Sequence, residues 1–449
     1  MKIVIVGAGE VGAHLGETLS LEGHDVTIID RDDEKAQSLN ERIDARVIQD
    51  NGSSASVLKR AGTAKCDFFL AVTSSDETNL VSASLAKAIG ARITFARAHD
   101  STYRDSSIIN HQSLFGIDHL VNPEALAAVE MAARIRNPGR VAVEDFGRGK
   151  IEVLSLEVQP KAKVIGQPLS TLKLSSQIRI GLINRGEEAF VANANSVLQP
   201  GDNVTLFGDP QALFESYSMF DPQSKGGAKT CVAILSGSEI AIALSGLLSH
   251  SHFRIRIIEK DLERCRALAE RLPNVNIIHG DGTSLRVLEE EEVGTADFFV
   301  ACSKDDEENI MTCLQASKLG AEKTMLAINR ADYIDVLDKV KDSLGVHFAV
   351  SPRVTAAKEV LRYLGDKPFV EIESGNSSSS IIELTVKKGA KVTGKRIRDI
   401  PLPDECVLVG HERNYEPKMP TGDDMLQEGD LVLAIISKSK IKELLRLTR

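Results

Sequence analysis

The sequence has no tryptophan, no C-x-x-C pair and no run of eighteen uninterrupted apolar residues. Without such a run, no segment is expected to cross a membrane. The first apolar run is cut by Glu10, too soon for a signal peptide. The six cysteines (Cys66, Cys231, Cys265, Cys302, Cys313 and Cys406) are scattered, with no zinc-site spacing to histidine, and read as thiols of a reducing cytoplasm. Basic charge is also in short supply. A formal charge of −10, with no Arg-rich aromatic stretch, disfavours nucleic acid as a partner. What remains is an acidic chain of 449 residues, long enough for two to four domains and expected in the cytoplasm.

The strongest positive signal is at the start. Lys2–Val6 reads as a strand buried on both faces, followed by Gly7-Ala8-Gly9-Glu10-Val11-Gly12. Val11, Leu15 and Leu19 then form a helical stripe, and Asp25–Asp30 is a second strand. Gly7 permits the turn, Gly9 leaves room for a pyrophosphate, and Gly12 lets the helix pack against the strand. The phosphates would lie on N–H groups at the helix N-terminus. Asp30, twenty-three positions after Gly7, is placed to accept from ribose hydroxyls, the arrangement of a dinucleotide fold. Its charge favours NAD over NADP, although Arg31 beside it is able to pair with a 2′-phosphate.

Further strands are expected over 45–49, 67–72, 92–96 and 116–121, with helices over 34–42, 57–61, 80–89 and 123–136 between them. Thr73 and Ser74 follow the fourth strand, where ligands of open parallel sheets bind; capping the next helix is their other reading. Arg97, at the tip of the fifth strand, either meets a phosphate or pairs with the domain's own acids. After about residue 141 the pattern becomes short β-branched strands punctuated by glycine, a small α+β module. Residues 221–228 then read as a flexible linker.

The chain next repeats itself. Glu259 replaces Asp30 at an offset of 229, Ala296–Ala301 echoes Cys66–Ala71, and Asp306–Asn309 echoes Asp76–Asn79. Lys391–Gly394 matches Lys163–Gly166, and Leu426–Asp430 matches Leu198–Asp202, both offset by 228. The serine-rich 374–380 reads as a flexible lead-in to the last module. The expected fold is α/β: two Rossmann-like parallel-sheet domains (1–140 and 229–366), each followed by a small α+β domain (141–222 and 367–449). The second loop, Ser236-Gly237-Ser238, has serine where the pyrophosphate needs space, so the second site reads as altered or silent.

This tandem order, with GAGEVG, Asp30 and Thr73-Ser-Ser-Asp-Glu-Thr-Asn79, resembles the TrkA family, over essentially the whole chain. These are cytosolic regulatory subunits of bacterial Trk potassium-uptake systems, built from two RCK (regulator of K+ conductance, or KTN) units. The resemblance implies binding of NAD(H), with ATP or ADP as further ligands. Gly7, Ala8, Gly9, Glu10 and Val11 would form the phosphate turn, Asp30 would hold the ribose, and Thr73, Ser74 and Arg97 would line the crevice. Glu259 would be the second copy's counterpart of Asp30. It also implies a homo-oligomeric ring, a tetramer, peripheral to the inner face of the membrane on a potassium-conducting Trk-type subunit.

Two other readings compete. An NAD-dependent dehydrogenase would need a second domain presenting substrate and a proton-transfer group. The small modules offer no suggestive His/Lys/Glu cluster, so no catalytic residue and no metal ligand is assigned, and the chain reads as a non-enzyme. A regulator of potassium efflux is the other alternative. Efflux regulators of this kind usually carry one nucleotide fold, so the tandem copy favours uptake.

Overall fold

The computed structural model describes residues 1–104, 109–137, 141–146, 151–186, 188–222, 229–249, 252–340, 344–363, 370–372, 379–413 and 416–449. The first sheet comprises β1 (Lys2–Val6), β2 (Asp25–Asp30), β3 (Arg46–Gln49), β4 (Phe68–Ala71), β5 (Ile93–Arg97) and β6 (His119–Val121). Its order is β3-β2-β1-β4-β5-β6, with every pairing parallel. Ile3, Val4 and Ile5 are fully buried, as expected of a strand with helices on both faces. The connections run outwards from β1 in opposite directions, towards β2 and towards β4, which opens a crevice beyond the carboxyl ends of these strands.

Next come β7 (Val141–Phe146), β8 (Ile151–Glu157), β9 (Ile178–Arg185), β10 (Glu188–Val191) and β11 (Asn203–Gly208), an antiparallel sheet in the order β10-β9-β11-β8-β7. The second parallel sheet has β12 (Thr230–Leu235), β13 (Phe253–Glu259), β14 (Asn276–His279), β15 (Phe298–Ala301), β16 (Lys323–Ala327) and β17 (Phe348–Val350). Its order, β14-β13-β12-β15-β16-β17, repeats that of the first. Last are β18 (Val370–Ile372), β19 (Ser379–Thr385), β20 (Cys406–Arg413), β21 (Glu416–Lys418) and β22 (Leu431–Ser437), ordered β18-β19-β22-β20-β21.

The chain divides into two compact units, one built around the parallel sheets and one holding both antiparallel sheets. In the second unit the two small sheets share a core in which Ile151, Val153 and Phe207 meet Ile381, Leu433 and Ile435. Gly181 is required there, because a Cβ would lie 1.9 Å from Ile435 Cδ1. In the first unit the Pro352–Tyr363 helix of the second repeat buries Ala357 and Val360 among Leu15, Leu19 and Phe95 of the first. Its last ring, Tyr363, lies 5.6 Å from Phe95 and 4.2 Å from His119, centroid to centroid. Sequence pattern did not anticipate this exchange, because an apolar helical stripe does not say which sheet covers it.

Some expected boundaries shift. The fourth helix starts at Asp76, not Leu80, because Ser75 Oγ caps it by accepting from Thr78 N at 3.2 Å. The sixth strand shortens to His119–Val121, since Gly116 turns at φ 64°. Ser379 and Ser380 are buried in β19 instead of forming a flexible lead-in; the rest of that stretch, 374–378, lies outside the described residues, as do 223–228 of the expected linker. Among the described residues no helix is long and apolar enough to cross a membrane.

Candidate nucleotide-binding site

The first cleft forms where β1 gives way to the Glu10–Leu21 helix. Gly7 turns at φ 111°, and a Cβ there would lie 3.0 Å from Thr73 N. A Cβ on Gly12 would fall 1.8 Å from Gly7 O, so only glycine allows the helix to come this close. Gly9 differs from both. A Cβ there would meet no atom of the described residues within 4 Å, so the space beside it belongs to the cleft and not to the packing. Gly9 is also the N-cap, and no side chain caps the helix from that position. A helix start with uncapped N–H donors is an anion-binding arrangement. Glu10 opens the helix, but its side chain lies outside the described ones.

Asp30, at the end of β2, braces this loop. One carboxylate oxygen accepts from Ala8 N at 2.5 Å and the other from Asp32 N at 2.9 Å. Each oxygen keeps a second lone pair, so the same carboxylate is able to accept from a hydroxyl in the cleft. On the other side, fully buried Asn79 ties three segments together. Its Oδ1 accepts from Thr73 N (2.8 Å) and Thr73 Oγ1 (2.7 Å), and its Nδ2 donates to the carbonyl oxygens of Thr73 and Arg97, both at 3.0 Å. Asp76 holds the loop after β5 by accepting from His99 N and Asp100 N.

Arg97 and Glu124 stand at the far end of the sheet from Asp30. Arg97 Nη2 donates to Glu124 Oε1 at 3.3 Å, and His99 Nδ1 lies 3.1 Å from Glu124 Oε2. Burial opposes charge on Glu124, but His99 and Arg97 outweigh it and hold its carboxyl below the usual glutamate range. Arg97 therefore does pair with one of the domain's own acids, yet among the described residues its buried Nε has no hydrogen-bond partner, a donor left over beside the cleft.

Gly7, Gly9, Val11, Asp30, Thr73, Ser74 and Arg97 thus line one cavity of about 550 Å³, within the size range of small-molecule sites. Ala8 contributes its N–H to Asp30 from the loop's backbone. The cavity also takes in Lys35, Asn51 and Arg353, which the sequence reading did not single out. Arg353 comes from the second repeat, and burial lowers the pKa of its guanidinium to about 10. The open space at Gly9, the uncapped helix and the unpaired Arg97 Nε together suit a ligand carrying phosphates.

The second cleft repeats the backbone and changes the chemistry. Ser236 N donates to Ile258 O (2.9 Å) as Gly7 N does to Ile29 O (2.8 Å), and Ser236 adopts φ 72° without being glycine. Buried Glu259 accepts from Gly237 N (2.8 Å) and Asp261 N (2.9 Å), so it takes over Asp30's bracing role. Ser238 stands where Gly9 does. Instead of simply intruding, its Oγ accepts from Ala241 N (3.3 Å) and donates to Cys302 Sγ (3.2 Å). It consumes a first-turn N–H that Gly9 leaves available. The cavity of about 540 Å³ around it is lined by second-repeat residues alone, among those described.

A tandem pair of dinucleotide folds, each followed in sequence by a small antiparallel-sheet module, is the class that fold and site define. The TrkA-N domain matches residues 3–123 and 232–352, and the TrkA-C domain matches 153–219 and 381–449. The chain belongs to the TrkA family. It is 31% identical to the Trk system potassium uptake protein TrkA homolog of Archaeoglobus fulgidus, over 99% of both chains. It is 30% identical to the Trk system potassium uptake protein TrkA of Halomonas elongata, over 100% of this chain and 98% of that one. Among solved structures it resembles the GsuK RCK domain (TM-score 0.60, 17% identity, 100% of this chain and 94% of that one). It also resembles the GsuK channel bound to NAD (TM-score 0.59, 17% identity, 100% of this chain and 78% of that one), a likeness of fold.

Proposed function

We propose that this chain is the nucleotide-sensing regulatory subunit of a Trk-type potassium uptake system, and that its ligand is NAD(H), with ATP or ADP as competitors. The observation that carries this reading is the contrast at one position. Gly9 leaves open space and an uncapped helix start, whereas Ser238 fills and caps the matching place. In this reading Gly7 to Val11 hold the pyrophosphate, Asp30 takes the ribose, and Thr73, Ser74 and Arg97 close the crevice, with Glu259 as the weaker second-site counterpart. The functional divisions are 1–140, 141–222, 229–366 and 367–449.

The chain performs no chemistry in this account. It assembles as a ring on the cytoplasmic face of a membrane-embedded potassium-conducting partner, and nucleotide shifts the population of ring conformations. A ligand moves such an equilibrium only through its differential affinity for the two states, typically worth about 1–3 kcal/mol. The names of these two relatives, both Trk system potassium uptake proteins, supply the system. The test is growth at limiting external potassium. Loss of this chain should raise the potassium requirement, and Gly9→Val should fail to restore it. Full rescue by that variant would contradict the nucleotide-sensing role.

A further inference from the structure

We propose that the second cleft is a nucleoside site, which accepts a ribose 2′,3′-diol and turns phosphates away, so that the two repeats read different ligands. This rests on the proposed nucleotide role of the first cleft and goes beyond a weaker copy of it.

The ribose end of the second cleft is kept. Glu259, at the end of β13, is 6% exposed and accepts from Gly237 N and Asp261 N, the bracing bonds of Asp30. Each of its oxygens retains a second lone pair, so the carboxylate is able to accept from both hydroxyls of a vicinal diol. The wall beside it is kept too. A Cβ on Gly282 would fall 2.2 Å from Leu235 Cδ1, as one on Gly52 would fall 2.2 Å from Val6 Cγ1, so both repeats need glycine here. Leu235 and Ile258 give the cavity an apolar lining for a base, and about 540 Å³ is room for a nucleoside.

The phosphate end is rebuilt by two matched changes. Gly9 and Val72 of the first repeat become Ser238 and Cys302, which stand 229 and 230 positions further on. Ala241 N donates to Ser238 Oγ, Ser238 Oγ donates to Cys302 Sγ, and the Cys302 thiol donates to Leu235 O at 3.4 Å. Burial pushes that thiol up to about 12, so it stays protonated and keeps its donor. This chain of bonds fills the place that Gly9 leaves open and fixes the hydroxyl from both sides. Arg264 Nε donates to Gly237 O at 3.0 Å and so ties down the same loop. Formal charge acts in the same direction. The described residues lining the cavity include five carboxylates and three cations, a balance that disfavours a phosphate and is indifferent to a neutral nucleoside.

The test titrates the full-length wild-type chain by calorimetry with adenosine, 2′-deoxyadenosine, AMP and ADP, each after just enough NADH to fill the first cleft. Adenosine should bind at one per chain. AMP and ADP should bind at least about tenfold more weakly, and so should 2′-deoxyadenosine, which lacks one hydroxyl. Ser238→Gly should raise the affinity for ADP relative to adenosine by about tenfold, and Glu259→Gln should weaken adenosine by a similar factor. If Glu259→Gln does not fold, 2′-deoxyadenosine decides the ribose contact without any substitution. No adenosine binding beside bound NADH would overturn the proposal. So would ADP binding as tightly as adenosine, or an ADP-to-adenosine ratio that Ser238→Gly leaves unchanged. A wild type that takes up no NADH would instead refute the reading of the first cleft. Adenosine binding weakened by Glu259→Gln and not by Asp30→Asn would then still uphold the second.

Discussion

Asp30 Oδ2 accepts the backbone N–H of Ala8 at 2.5 Å, across twenty-two positions of sequence. The carboxylate that faces the cleft is thus also the brace that shapes the glycine loop. Asp30→Ala should weaken NADH binding by about tenfold or more and cost about 1–3 kcal/mol of stability, because two N–H donors lose their acceptor. Asp30→Asn, which keeps one acceptor oxygen, should retain more stability than affinity. Calorimetry with NADH and NADPH, beside urea unfolding, separates the two roles. The preference for NADH over NADPH should narrow in both variants.

Asn79 is fully buried and makes four hydrogen bonds, so Asn79→Ala should destabilise by about 3 kcal/mol or more. Asn309 makes the matching bonds to Ser303 and Ala327 in the second repeat, and Asn309→Ala should cost a similar amount. Only Asn79→Ala should also weaken nucleotide binding, since it frees Thr73 and Arg97. Equal effects of both variants on NADH affinity would contradict the placement of the working site in the first repeat.

Glu124 ionises more readily in the folded chain than in the unfolded one, with His99 and Arg97 overcoming its burial. The sign follows: its contribution to stability is present above the ordinary glutamate pKa, about 4.3, and is lost as pH falls through the lowered folded value. Glu124→Gln should flatten this part of the acid dependence of the urea midpoint between about pH 5 and pH 3. An unchanged profile would show that the pairing carries no linkage.

Ser236 holds φ 72°, a conformation that costs a non-glycine residue about 1 kcal/mol or more. Ser236→Gly should therefore raise the melting temperature with little effect on nucleotide binding in the first cleft. A fall in melting temperature would mean that the serine side chain holds this turn.

Much of this architecture is legible in the sequence, and the reasons differ from element to element. The strand at Lys2–Val6, the roles of Gly7 and Gly12, and the register of Ser236-Gly237-Ser238 follow from local sterics and from the repeat. Local rules suffice there because each residue's constraint comes from its own turn. Ser238 is harder. Sequence shows a serine where a glycine is wanted, but not that its hydroxyl turns back to cap Ala241 and meet Cys302. Arg353 is not legible at all. Its position depends on which sheet the Pro352–Tyr363 helix covers, a long-range choice that apolar periodicity leaves open. Asn79 reads as one polar residue in a helix start, and only the fold shows that it bonds both Thr73 and Arg97.

The central claim, that the first glycine loop is a working nucleotide site, is tested most directly at Gly9. A Cβ there meets no described atom within 4 Å, so Gly9→Val should leave the melting temperature within about 2 °C of wild type, whereas Gly12→Ala should destabilise by overpacking against Gly7. Titrated with NADH, the wild-type chain should bind, and the folded Gly9→Val chain should bind at least a hundredfold more weakly, about 2.7 kcal/mol. A folded Gly9→Val chain that binds NADH as tightly as wild type would contradict the account.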